Sequence, residues 1–380
     1  MRAGVTSAKT QRTALVHDWL TGFRGGEQVL LSLARLFPEA PIYTLLHVKG
    51  SLPEELERRT ILTSFIGKLP FSRRLYRHYL PLFPLALRGL DVRSFDLVVS
   101  SSHCVAKSVF PGPGARHISY CHTPMRYVWD RFDDYFGPAR LGSAGSAAAR
   151  VMAEGLRAWD VATAHRVHRY IANSETVAAR IRYFYGRDAD VIQPPVDTDF
   201  FTPGEAGESS GDYDLVVSAL VPYKRIDLAI EAANLTKRRL LVVGNGPEEE
   251  RLRRLASPSV EFIGPANRDR LRELYRGCRA LVLPGVEDFG IVVAEALACG
   301  RPAVVNALGG AAEIVNRGEF GLTVAEPTGP ALAAALAQLV PNRFSRLELR
   351  QRAETFSRPR FEERFMRAVS EPWAAPATQA

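Results

Sequence analysis

The stretch from Ala280 to Pro302, ALVLPGVEDFGIVVAEALACGRP, constrains this chain more than any other. Ala280 to Leu283 form an apolar run closed by Pro284, the pattern of a buried parallel strand that stops at a loop. A helix follows: Gly290 opens it, apolar residues continue to Leu297, and Gly300 with Pro302 ends it. Glu287 falls in the loop. Glu295 falls in the second turn of the helix, about 7 Å along its axis at about 1.5 Å per residue. Between them, the backbone N–H groups of Phe289, Gly290, Ile291 and Val292 and the partial positive charge of the helix start make a seat for a phosphate. Acids on either side could hold hydroxyl groups flanking that phosphate, an arrangement matched to a nucleotide-sugar. Most helix glutamates face water, but Ile291, Val292, Ala294, Leu297 and Ala298 leave Glu295 little polar face, and a buried carboxylate calls for a partner.

The rest of the chain supplies a context for that stretch. Thr13 to Val16 reads as a strand, followed by HDWLTGFRGGEQ and a helix from Glu27 to Phe37, the opening unit of a dinucleotide-type fold. Gly25 and Gly26 would let backbone approach a bound group, or simply make a tight turn. Further strands are expected at Ile42–Leu46, Leu97–Ser100, His117–Cys121, Tyr170–Ala172 and Val191–Gln193, separated by helical stretches, which implies a parallel sheet. His103 and His122 follow two of these strands. A lone histidine is more often structural than catalytic, but ligands bind beyond the carboxyl ends of parallel strands, so both are candidates. Asp197 and Asp199 form an Asp-x-Asp beside a linker, and read as turn residues rather than metal ligands.

Pro194, Pro195 and the polar run GEAGESSGD place a domain boundary near Phe200. The second half repeats the first, with strands at Leu215–Ser218, Leu240–Val243, Val260–Ile263, Ala280–Leu283 and Ala303–Asn306. Lys224, Gly244, Gly246, Glu287, Gly290, Gly309 and Gly310 all follow strands and should converge on one rim. The expected architecture is α/β, two Rossmann-like parallel-sheet domains facing a central cleft, over 13–200 and 201–353. Residues 1–12 read as a frayed extension, 354–370 as a helix returning to the first domain, and 371–380 as a disordered tail.

At 380 residues the chain can build two cores. A net charge of +8 suits anionic partners without choosing among them, and no helix-turn-helix, zinc finger or aromatic sheet motif argues for nucleic acid. The four cysteines are scattered through apolar stretches, which argues against a disulfide framework or zinc site and favours a reducing, cytoplasmic setting. No apolar run approaches the ~20 residues that span a bilayer. Arg73 to Leu85, however, mixes basic with aromatic and aliphatic residues, which suits either a peripheral contact with an anionic membrane or an amphipathic helix broken by Pro81 and Pro84.

With Glu287 and Glu295 in an E-x7-E frame, Lys224 in LVPYK, VGNGP, and Gly25 with Gly26, the sequence resembles the family 4 retaining glycosyltransferases of the glycosyltransferase-B fold. YCHTPMRYVWD and VPYKRIDLAIEA look like bacterial O-antigen and exopolysaccharide enzymes, many of them mannosyltransferases using GDP-mannose. The resemblance implies that Glu287, Lys224 and His122 serve the chemistry: Glu287 bonding the sugar, Lys224 neutralising the leaving diphosphate, His122 lying near the anomeric carbon. It implies a donor site completed by Gly26, Arg225, Gly244, Gly246, Ile263, Phe289, Gly290, Ile291 and Glu295, the last binding the ribose. His103 and Arg126 fall with His122 on the acceptor side. The implied partners are a nucleotide-sugar, GDP-mannose before UDP-sugars, and a saccharide or polyprenyl-diphosphate-linked acceptor. No metal or cofactor is implied. Relatives commonly carry an arginine five residues before the lysine, where this chain has Ala219, and often a glycine after it, where this chain has Arg225. A nucleotide-sugar epimerase of the same fold, which needs no acceptor, and a non-catalytic binding module are the alternatives.

Overall fold

The computed structural model describes residues 11–205, 211–340 and 343–372; most of the expected N-terminal extension and tail therefore lies outside the described residues. Contacts divide the chain into two units. Unit 1 comprises residues 1–172, 178–191 and 365–380, and unit 2 comprises 173–177 and 192–364. The division at 191/192 precedes the linker expected near Phe200, because Val196 already pairs with Ser357 and Phe201 lies in the core of unit 2.

Unit 1 is built on a parallel sheet of β1 (Thr13–His17), β2 (Ile42–Thr44), β3 (Ile61–Thr63), β4 (Leu97–Ser102), β5 (Arg116–Cys121), β6 (Arg169–Ala172) and β7 (Ala189–Val191). Their order is β3-β2-β1-β4-β5-β6-β7. The chain winds outward one way from β1 and the other way from β4, so the loops after these two strands diverge and leave a crevice at their carboxyl ends. His17 ends β1, and His103 and His122 directly follow β4 and β5. Unit 2 repeats this plan with β8 (Tyr213–Val217), β9 (Arg239–Val243), β10 (Val260–Gly264), β11 (Leu281–Leu283), β12 (Ala303–Asn306) and β13 (Gly321–Val324), in the order β10-β9-β8-β11-β12-β13. Its crevice lies between β8 and β11. Lys224 follows the former and Glu287 the latter.

The sheets are covered on both faces, which is why their central strands read as continuous apolar runs. Two strands escaped the sequence pattern. β3 is a three-residue edge strand with Leu62 and Thr63 exposed, and β13 spends one of its four positions on Gly321, so neither makes an apolar run. The strand expected at Val191–Gln193 pairs instead over Ala189–Val191.

The last helix, Arg358–Ser370, divides between the units. Its final turns belong to unit 1, where Phe365 meets Phe37 edge-on and Arg169 donates to the carbonyl of Ala368. The segment from Arg73 to Leu85 is not one helix. It folds as a turn of helix at Ser72–Leu75, a 3-10 stretch at Tyr76–Leu82 containing Pro81, and a short helix at Phe83–Arg88 with Pro84 in its first turn. No helix among the described residues is long and apolar enough to cross a membrane.

Candidate functional site

In unit 2 the loops after β8 and β11 meet. Lys224 ends a single 3-10 turn, Pro222–Lys224, and its Nζ is ion-paired with Glu287 Oε1. Each side chain keeps 17% of its surface accessible, so the pair is reachable by a ligand. Gly285 is required for this approach: a Cβ there would lie 2.8 Å from the carbonyl oxygen of Tyr223 and 2.9 Å from Lys224 Cα. Arg225 adopts φ 52°, ψ 40°, a left-handed conformation that glycine takes without strain. Its guanidinium turns to Asp227 at 3.3 Å. The structure thus pairs Lys224 with Glu287, whereas Arg225 has an acid of its own. Ala219 is exposed in the same loop.

Glu287 is fixed from behind. Its carbonyl accepts from Gly310 N at 2.8 Å, and Glu287 pairs with Gly309 as an isolated parallel bridge. A Cβ on Gly310 would fall 2.2 Å from the Asp288 carbonyl oxygen, so the Gly309–Gly310 pair exists to let two backbones touch. The same holds for Gly244 and Gly246, whose missing side chains leave room for the carbonyls of Ser218 and Leu220. These glycines shape the rim by packing chain on chain, and their close neighbours are this protein's own backbone. Gly264, next to Ile263, accepts from Gly244 N at 2.9 Å and so joins the β10 loop to the same rim.

Gly290, at φ 92°, caps the helix Ile291–Ala298, whose N-terminus stands between Glu287 and Glu295 as the sequence implied. Phe289 places its ring in the core against Phe356. Glu295 is 6% exposed and accepts from the Tyr275 hydroxyl at 2.8 Å, the partner that a buried carboxylate calls for. Burial pushes its pKa up to about 7, against the lowering effect of Tyr275 and the Arg268 charge. A carboxyl raised from 4.5 stabilises the fold most below pH 4.5, and that contribution is lost as pH climbs through 7. The loss is about 3 kcal/mol at about 1.4 kcal/mol per pH unit. Glu295→Gln should therefore flatten the fall in urea midpoint between pH 4.5 and 7.5; parallel curves for the two proteins would remove Glu295 as its source. Asp197 is ion-paired to Arg268 at 2.5 Å.

Unit 1 carries a second cluster, part of which the sequence did not reveal. His122 Nε2 lies 2.8 Å from Ser101 Oγ, and the same hydroxyl lies 3.1 Å from His17 Nδ1. Gly26 fits against both rings: a Cβ there would sit 3.7 Å from His17 and 3.8 Å from His122. His17 Nε2 faces Glu27 Oε1 at 3.8 Å, and Glu27 Oε2 accepts from Arg24 N at 2.9 Å. His103 Nδ1 meets Asp18 Oδ2 at 3.2 Å, with its ring edge-on to Trp19. Burial drives His103 down to about 3 and holds His122 well below the ordinary histidine value, and the charge of Arg126 adds to both effects. Both imidazoles are neutral at pH 7.

Asp18 is the anchor of this cluster. Its carboxylate, fully buried, accepts backbone N–H bonds from His103, Cys104, Val105 and Ala106 at 2.6–3.0 Å, holding the loop after β4 to the end of β1. His17, Asp18, Glu27 and Ser101 were missed because each looks ordinary in sequence. The available signal was HD directly after the first strand, at a carboxyl end like those of His103 and His122.

The comparisons bear on both units. Residues 23–200 match the family described as Glycosyltransferase Family 4, and residues 207–358 match the family described as Glycosyl transferases group 1. Each half of the chain thus matches a glycosyltransferase family model. The glycosyltransferase-B fold extends through it: a crystal structure of Anabaena HepE in complex with UDP and glucose superposes with a TM-score of 0.71, at 19% identity, over 95% of this chain and 100% of that one. Sucrose-phosphate synthase from Thermosynechococcus elongatus gives a TM-score of 0.71 at 19% identity, over 94% of this chain and 98% of that one. Among curated relatives, the D-inositol 3-phosphate glycosyltransferase of Acidothermus cellulolyticus is 33% identical over 204 residues, 45% of each chain. That of Mycobacteroides abscessus is 32% identical over 196 residues, 45% of this chain and 44% of the relative. The chain thus spans a little under half the length of these relatives. Their names differ from the O-antigen mannosyltransferases that the sequence suggested.

Proposed function

We propose that this chain is a retaining, metal-independent glycosyltransferase in which unit 2 binds a nucleoside-diphosphate sugar and unit 1 presents a saccharide acceptor. The observation that carries this reading is the reachable Lys224–Glu287 pair beside a helix N-terminus at the carboxyl ends of β8 and β11. Breaking the bond from anomeric carbon to phosphate leaves positive charge on the sugar and negative charge on the diphosphate. Lys224 and the helix start would stabilise the latter, so the protein supplies the cation itself. Glu287 would hold the sugar hydroxyls. Departure of the phosphate on the face attacked by the acceptor gives retention; a sugar trapped covalently on any side chain would count against it.

GDP-mannose and a UDP-sugar are the two donors to separate. YCHTPMRYVWD supports the former, and the UDP held by HepE supports the latter. The proposed acceptor is a polyprenyl-diphosphate-linked saccharide met at the inner face of an anionic membrane, as in O-antigen or exopolysaccharide synthesis. Supporting that contact, residues 58–90 hold seven Lys and Arg and no acid, and the same segment exposes Phe71, at 77%, with Leu75, Leu82 and Leu85. The names of the curated relatives support a phosphorylated cyclitol as the second acceptor to test.

One experiment tests the reading: transfer from radiolabelled GDP-mannose, UDP-glucose and UDP-N-acetylglucosamine to each acceptor class, with the lipid-linked acceptor in anionic or neutral vesicles. Donor-dependent product, faster on anionic vesicles, is expected. Conversion of donor without acceptor would favour an epimerase, and equal rates on both vesicles would remove the membrane contact. Failure of every donor and acceptor would overturn the glycosyltransferase reading.

A further inference from the structure

His122, Ser101, His17 and Glu27 form an unbroken polar line through the interior of unit 1, and its chemistry is more determined than the distances alone suggest. A serine hydroxyl owns one hydrogen. Placed between two imidazole nitrogens, Ser101 can donate to only one of them and must accept from the other. When His17 carries a single proton, the direction of the whole line is set at its far end. There, His17 Nε2 makes no hydrogen bond among the described residues, and it faces the Glu27 carboxylate at 3.8 Å. A lone pair turned toward that carboxylate would be repelled, whereas an N–H would be attracted. Glu27 stays ionised, because the facing His17 and the Arg24 N–H outweigh the upward push of burial and hold its pKa below the ordinary value.

We propose that Glu27 is a positioning residue that, acting through His17 and Ser101, sets the tautomer of His122. With a proton on His17 Nε2, His17 Nδ1 is an acceptor and takes the Ser101 hydrogen. Ser101 Oγ in turn accepts from His122 Nε2–H, so His122 Nδ1 carries the lone pair. All hydrogen-bond donation then runs toward Glu27. The line leaves His122 as a base at Nδ1, and reversing the line would make that nitrogen a donor. That His122 serves the acceptor rests on the function proposed above; the tautomer itself does not.

The geometry also specifies the substitution that should reverse the line. In Glu27→Gln, the Arg24 N–H that now reaches Oε2 at 2.9 Å needs a carbonyl oxygen, which forces the amide NH2 toward His17 Nε2. His17 must then carry its proton on Nδ1 and donate to Ser101, which donates to His122 Nε2 and moves the His122 proton to Nδ1. Long-range 1H–15N spectra of 15N-histidine-labelled protein at pH 7 distinguish the two tautomers directly, with the eight histidines assigned by single replacements. The expected result is an Nε2–H tautomer for His122 in the parent protein, an Nδ1–H tautomer in Glu27→Gln, and no response of His122 to Glu27→Gln when Ser101 is also alanine. An Nδ1–H signal from His122 in the parent, or the same tautomer with and without Glu27→Gln, overturns the proposal. Ser101→Ala and Glu27→Gln each lowering transfer about tenfold or more, with unchanged KM for the donor, would extend it to catalysis. Unchanged tautomers with lost activity would instead assign both residues a structural role.

Discussion

Lys224→Ala should lower kcat by about 100- to 1,000-fold while shifting the thermal midpoint by less than about 2 °C. The large kinetic effect follows from the position of the charge. Lys224 sits at the carboxyl end of β8 next to Glu287 and the Ile291–Ala298 helix start, where the leaving diphosphate gathers its negative charge in the proposed reaction. Removing one preorganised electrostatic donor of this kind costs about that factor. Its effect should be amplified here, because Ala219 stands where the resemblance led to the expectation of a second cation. The small stability effect follows from the exposure of the pair, since partly solvated ion pairs contribute about 0–1 kcal/mol. Rates measured at saturating donor give the test. A loss below about tenfold would mean that the diphosphate charge is met elsewhere, and Lys224 would then serve only to orient Glu287.

The second large effect concerns folding. Asp18→Ala should destabilise unit 1 by about 4 kcal/mol, because four backbone donors, the part-buried His103 and the buried Cys104, Val105 and Ala106, lose their acceptor together. Each unsatisfied donor costs about 1–3 kcal/mol, and water entering the space left by the carboxylate recovers part of the total. The cost is local before it is global. Amide hydrogen exchange at His103, Cys104, Val105 and Ala106 should quicken by two orders of magnitude or more, with the strands of unit 2 unchanged. His103 should also lose its fixed ring position, since Asp18 Oδ2 lies 3.2 Å from its Nδ1. Unaltered exchange at these four amides would show that the loop after β4 is held by other contacts.

What could be read in advance divides along physical lines. The two-sheet architecture was legible because parallel strands covered on both faces leave continuous apolar runs, and ALVL, LLVV and AVVN are such runs. Glu287, Lys224 and Glu295 were legible because helix punctuation and strand ends give them positions without any tertiary information. Tyr275, which satisfies Glu295, was not legible, since its helix lies before β11 and no local spacing links residues 20 apart. The Asp18 contacts with the β4 loop span 85 to 88 residues, and the Ser101 contacts with the two histidines span 84 and 21, distances over which sequence carries no periodic signal. Gly244 and Gly246 were legible as rim positions, but not the reason for their glycines: the space of the missing side chains is taken by the carbonyls of Ser218 and Leu220.

The division of the chain has a practical corollary for anyone recombining such proteins. Unit 1 needs residues 365–372, where Arg169 reaches both the Ala368 carbonyl and Glu371. Unit 2 needs 173–177, where Glu313 accepts from the backbone of Glu175 and Thr176. A chimaera joined at one crossover near residue 192 would therefore inherit mismatched ends on both halves. A clean exchange of either unit requires transplanting the short 173–177 and 365–372 pieces along with their parent bodies.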